Sequence, residues 1–115
     1  MRRHDSELQN LLTLDGEIFP MESGYWTKFE VREVVPDDRF PHGIRYSLTL
    51  HDGSNQRVLG FDNAHGYRPK RKRFAGGKTT WDHIHLKERV VPYEFESPAA
   101  LLEAFWREVG KITGE

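Results

Sequence analysis

Three stretches of this sequence carry side chains suited to acid–base or phosphate chemistry. They are Asp62-Asn63-Ala64-His65, the cationic run from Arg68 to Lys78, and Asp82-His83-Ile84-His85. Imidazole titrates near neutrality, so a histidine serves as proton donor or acceptor at physiological pH. An aspartate beside a histidine fixes the ring's tautomer and raises its basicity. If residues 81–86 are extended, His83 and His85 leave the backbone on the same face, because strand side chains alternate. Asp62, Asn63 and His65 fall where a strand gives way to a loop, a common position for functional groups held by a rigid scaffold. Between Asn63 and Trp81 there is no acidic residue, while Arg68, Lys70, Arg71, Lys72, Arg73 and Lys78 all lie there. Such a run attracts a phosphate backbone, and Tyr67, Phe74 and Trp81 could stack on unpaired bases.

These residue types suit metal-independent cleavage of RNA, in which a base takes the 2′-hydroxyl proton, an acid protonates the leaving 5′-oxygen, and cations offset the charge gathering on phosphorus. On this reading His65, His83, His85 and Asp62 are the catalytic candidates. Arg68, Lys70, Arg71, Lys72, Arg73 and Lys78 bind RNA, and neither a metal nor any other cofactor is expected. The same residues support other readings. His-x-His is also metal-ligand spacing and, with Asp62 or His65, could hold zinc or another divalent ion in a metal-dependent nuclease or hydrolase. The cationic run alone could make a nucleic-acid-binding module without catalysis, or be a solvated loop. His83 and His85 could be an exposed polar face with no chemistry. Trp81 and Phe74 read more simply as core or cover residues. His4, His42 and His51 have no recognisable partners.

The elements that must position these groups are those of a small antiparallel sheet. Phe29 and Val31 alternate with Lys28, Glu30 and Arg32 between Tyr25 and Val35, a half-buried strand. Ile44, Tyr46, Leu48 and Leu50 alternate with Arg45, Ser47 and Thr49, turn at Asp52-Gly53-Ser54-Asn55, and return over Arg57–Phe61, so 44–62 reads as a hairpin. Gly66, Pro69, Gly76 and Gly77 make 63–80 a long loop, and Trp81–Leu86 is expected as a further strand. Residues 6–14 fit a helix starting at Ser6 or a strand, and the following Asp15-Gly16 turn favours the strand. Ser97 as N-cap and Pro98 at the first helical position open a terminal helix. Its apolar stripe is Leu101, Leu102, Phe105, Trp106 and Val109, with Glu103 and Arg107 paired on the other side. The expectation is a single α+β domain over residues 1–115: an antiparallel sheet of about 5–6 strands, with the C-terminal helix on one face.

Composition narrows the function classes. The length of 115 residues fits one domain. The absence of cysteine excludes disulfides and thiolate metal sites. No apolar run approaches membrane-spanning length, and Met1-Arg2-Arg3-His4-Asp5 is not followed by an apolar signal core. A cytoplasmic protein without membrane association is expected.

With those motifs in view, the chain resembles the TumE-like family of small prokaryotic toxin proteins from about Leu14 to Ile112. The resemblance rests on PHGIRYSLTLHD (41–52), LGFDNAHG (59–66), DHIH (82–85) and VPYEFESPAALLEAFW (91–106), together and in this order. It implies a toxin encoded beside a cognate antitoxin protein and acting as a ribonuclease on cellular RNA. The interval from Asn63 to Asp82 is longer and more basic here than in shorter members of that family. The resemblance supplies no catalytic residues, so the candidates above rest on their own chemistry. The oligomeric state is not legible in the sequence.

Overall fold

The computed structural model describes residues 3–63, 82–87 and 89–115. Residues 64–81 lie outside this set. With them go His65, the cationic run Arg68, Lys70, Arg71, Lys72, Arg73 and Lys78, and Trp81. Among the described residues the chain runs α1 (Arg3–Leu12), β1 (Ile18–Pro20), β2 (Trp26–Glu33), β3 (Ile44–His51), β4 (Arg57–Asp62), β5 (His83–Leu86), β6 (Arg89–Pro92) and α2 (Pro98–Thr113). The six strands form one antiparallel meander in chain order, so each pairs with its sequence neighbours. This is the α+β architecture expected from the sequence. No helix among the described residues is long and apolar enough to cross a membrane.

Alternation along β3 sets the two faces of the sheet. Ile44, Tyr46, Leu48 and Leu50 are buried, while Arg45 is exposed and Ser47, Thr49 and His51 are intermediate. Register carries this pattern across the sheet: Phe29 and Phe61 flank Leu48, and Ile84 follows Phe61. The helices cover this apolar face. Phe105 of α2 meets Phe29 at 5.5 Å and Phe61 at 5.7 Å between ring centroids, both edge to face, the arrangement aromatic quadrupoles favour. On the opposite face the register aligns Glu30, Ser47, Asp62, His83 in one row and Lys28, Thr49, Gly60, His85 in the next.

The N-terminal segment corrects the sequence expectation. Residues 6–14 do not form a strand; the helical alternative holds, and α1 ends at Leu12. Leu8, Leu11 and Leu12 recur at helical spacing, and Leu11 is fully buried in the core. Asp15-Gly16 does turn the chain, with Gly16 at φ 83°, a conformation glycine adopts without steric strain. It joins a helix to the short edge strand β1, which the sequence reading missed. The Asp15 carboxylate continues the edge by accepting from the Val31 amide at 2.8 Å. β6 was also missed: its four residues include only Val90 and Val91 as an apolar signal.

Helix α2 begins as its sequence dictates. Ser97 is extended (φ −161°, ψ 162°), its hydroxyl accepts from the Ala100 amide at 3.1 Å, and Pro98 follows. Gly114, at φ 79°, closes the other end with its amide on the Gly110 carbonyl. Leu101, Phe105 and Val109 are buried, but Trp106 is 39% exposed, contrary to the core stripe expected. One residue is a rotation of about 100° on a helix, so Trp106 lies at the rim of the face centred on Phe105. There it shields Phe29 and Phe19, at 5.8 and 6.4 Å. The ion pair on this helix is Glu108–Lys111 at 2.9 Å, not the expected Glu103–Arg107.

Candidate functional site

The adjacent strands β4 and β5 bring three of the sequence candidates together. Antiparallel register places Asp62 opposite His83 and Gly60 opposite His85. The His-x-His spacing does the rest, turning both rings to the face away from the helices. The Asp62 carboxylate is divided between them. Its Oδ1 lies 3.2 Å from His83 Nε2 and its Oδ2 lies 3.4 Å from His85 Nε2. The two rings meet edge to face, 4.6 Å apart and inclined at 80°. Side-chain exposure falls from 24% at His85 to 10% at Asp62 and 3% at His83, so His85 is the ring that solvent reaches. With Nε2 turned to the carboxylate, the other nitrogen of His85, Nδ1, is the one left to accept a proton. Burial holds the His85 imidazole below its ordinary value of 6.5, the positive charges of Arg57 and His83 add to this, and Asp62 opposes it.

Asp62, His83 and His85 each offer a donor atom, and these atoms all lie within 4.8 Å of one another. Two imidazoles and a carboxylate are a fitting donor set for zinc, whose catalytic sites keep three protein ligands and one open position.

Asn63, next to Asp62, has a different task. Its side-chain carbonyl accepts from the Tyr46 amide at 2.9 Å and its amide donates to the Ile44 carbonyl at 2.8 Å. The buried Asn63 side chain thus extends the β3–β4 ladder by one step and fixes where β4 ends. One residue before β5, Asp82 makes a second polar node. Tyr46, buried on the helix-facing side of β3, donates its hydroxyl to Asp82 Oδ2 at 2.8 Å. Burial raises the Asp82 carboxyl above its ordinary value, while the Tyr46 hydroxyl and the charges of His42 and His83 pull it down. Burial first, then the Asp82 charge, pushes the Tyr46 phenol far up, so it remains a proton donor.

Several groups had escaped sequence reasoning. His42 packs on Phe95, with centroids 4.4 Å apart, and its charge bears on Asp82. His51 stacks on Trp26 at 4.1 Å and touches the Thr49 hydroxyl at 2.9 Å. Arg57 folds back over Gly60, beside His85. The alternation in 44–51 carried a signal for His51, which must share the face of Ser47 and Thr49. Nothing local marks His42 or Arg57, whose positions depend on strand register.

A six-stranded meander with both helices on one face and a carboxylate–imidazole cluster on the other defines the class of domain. The chain belongs to the Toxin TumE family, whose model matches residues 22–113. The match spans β2 to α2 and so includes both polar nodes. It identifies a toxin component and implies an antitoxin partner. No curated protein and no solved structure gave a match.

Proposed function

We propose that this toxin acts by cleaving RNA without a metal, with His85 as general base, Asp62 and His83 holding it in place, and His65 as general acid. The observation that carries this reading is the shared carboxylate: Asp62 holds a buried imidazole on one oxygen and a solvent-reaching imidazole on the other. In the reaction, His85 Nδ1 takes the proton of a ribose 2′-hydroxyl as that oxygen attacks the adjacent phosphorus. The P–O5′ bond breaks, and a protonated imidazole delivers a proton to the departing O5′. The products are a 2′,3′-cyclic phosphate and a 5′-hydroxyl. His83, with its side chain 3% exposed, acts through Asp62 as a positioning residue, and on this reading His65 is the acid. Arg68, Lys70, Arg71, Lys72, Arg73 and Lys78 draw in the RNA backbone, and the setting is the cytoplasm.

The test begins with inducible expression in bacteria, scoring growth and RNA integrity, followed by purified protein on a defined RNA. Fragments ending in cyclic phosphate support the proposal, and intact RNA contradicts it. Replacing Arg71, Lys72 and Arg73 together with serine should weaken RNA binding and flatten its salt dependence, since fewer counterions are released. An unchanged salt slope would remove the cationic run from the binding surface. A second reading is favoured by one observation, the three donor atoms within 4.8 Å. There the same residues hold a divalent ion that activates water. Loss of cleavage in EDTA, restored by zinc or another divalent ion, would select it.

A further inference from the structure

We propose that Arg57 is the phosphate-binding cation of this site, gripping the non-bridging oxygens of the phosphodiester that lies against His85. The inference rests on the RNA-cleaving reading and adds to it a residue outside the cationic run. Arg57 opens β4 where the β3–β4 register shifts between Leu50 and His51, with Arg57 opposite His51. Its side chain folds back along its own strand. A Cβ placed on Gly60 would stand 3.5 Å from Arg57 Cδ, 3.6 Å from Nη1 and 3.7 Å from Nε. The guanidinium therefore lies over the gap that glycine leaves. Gly60 is the cross-strand partner of His85, so this places the guanidinium next to the ring that solvent reaches. Among the described residues, no carboxylate forms an ion pair with Arg57 within 4 Å.

A guanidinium bound to a protein carboxylate is neutralised; one with no carboxylate partner among the described residues raises the local positive potential beside His85. A bound anion would offset that potential. The planar fork of a guanidinium matches two oxygens of a phosphate group, a geometry lysine does not reproduce. Lys28 and Thr49 continue the row from Gly60 toward β2, which gives the neighbouring backbone a cation and a hydroxyl to follow.

The experiment compares the wild type with Arg57→Ala, Arg57→Lys and Lys111→Ala. Lys111 sits on α2, paired with Glu108, and its loss makes the same change in net charge. Two quantities are measured: the affinity for a short RNA analogue blocked by a 2′-deoxy substitution at the cleavage position, and the single-turnover cleavage rate of the unblocked RNA. Arg57→Ala should bind the analogue at least tenfold more weakly and cleave about 10²–10³-fold more slowly, the usual loss for one charge-stabilising donor. Arg57→Lys should recover part of the binding and little of the rate, and added guanidinium ion should partly restore the alanine variant. Equal behaviour of Arg57→Ala and Lys111→Ala in both measurements overturns the proposal. A wild type that cleaves while Arg57→Ala cleaves as well would remove this residue alone. A wild type that does not cleave would remove the ribonuclease reading, and an Arg57-dependent affinity for the analogue would then leave the anion site standing.

Discussion

Two carboxylates, Asp62 opposite His83 and Asp82 one residue before it, are used in opposite ways. Asp62 and Asp82 are each partly or wholly buried, and each faces a histidine or tyrosine. Asp62 shares its oxygens between His83 and His85, one of which is 24% exposed. Asp82 is stoppered by the Tyr46 hydroxyl at 2.8 Å, on a ring that belongs to the core. Alternation explains the separation, since neighbouring residues on a strand point to opposite faces. The face packed under helices turned its carboxylate into a structural partner. The other face left an imidazole within reach of solvent. Residue type alone does not distinguish the two nodes; the partner and its access to water do.

The largest effects should fall on the Asp62 side. His85→Ala should lower the RNA cleavage rate by about 10²–10⁴-fold, the range for loss of a general acid or base, while the melting temperature at pH 7 barely moves. Asp82→Asn should leave that rate unchanged. Comparable inactivation by both would dissolve the distinction between the nodes.

The Asp82 side should respond in stability instead. Tyr46→Phe deprives a half-buried carboxylate of its donor and should cost about 1–2 kcal/mol, toward the lower part of the range for an orphaned acceptor. Denaturant unfolding checks this, and an unchanged midpoint would mean that solvent already serves Asp82. Trp106→Ala should cost about 1–2 kcal/mol, less than the roughly 3–5 kcal/mol of a fully buried aromatic ring. A loss at the upper value would place the indole in the core after all.

Asp82→Asn has the smallest expected effect and the most informative pH dependence. The Asp82 carboxyl is raised, so the folded state holds its proton more tightly than the unfolded state does. Its contribution is therefore fully present below the ordinary 3.8 and lost as pH rises through the folded value. Asparagine keeps an acceptor for Tyr46 without the buried charge, so the variant should match or slightly exceed wild-type stability at neutral pH. His85 behaves in the opposite sense. Its lowered value favours the folded state above 6.5, and that advantage fades as pH falls toward the folded value. Thermal melts of Asp82→Asn and His85→Ala between pH 3 and 7 should each lose one of these slopes.

The contrast also marks what could be read from the chain. The alternation of 44–50, the Ser97-Pro98 cap and the shared face of His83 and His85 are local, periodic features, and each was legible. The placement of Asp62 opposite His83 was not, because it depends on a register formed across the intervening residues 63–82. Arg57, His42 and the Tyr46–Asp82 contact were hidden for the same reason. Residues 6–14 misled because Asp15-Gly16 is a turn signal that serves a helix-to-strand connection as well as a hairpin. Trp106 misled because a five-residue apolar stripe is wider than the contact that the sheet offers.

The central claim is that His85, held by Asp62 and His83, acts with His65 in acid–base chemistry on RNA without a metal. Its most direct test is the cleavage rate of a defined RNA by the purified protein, measured in EDTA from pH 5 to 9. A bell-shaped profile, yielding 2′,3′-cyclic phosphate ends, is expected, because one imidazole must be neutral while another is protonated. The absence of cleavage in EDTA, with activity returning on addition of a divalent ion, would contradict it.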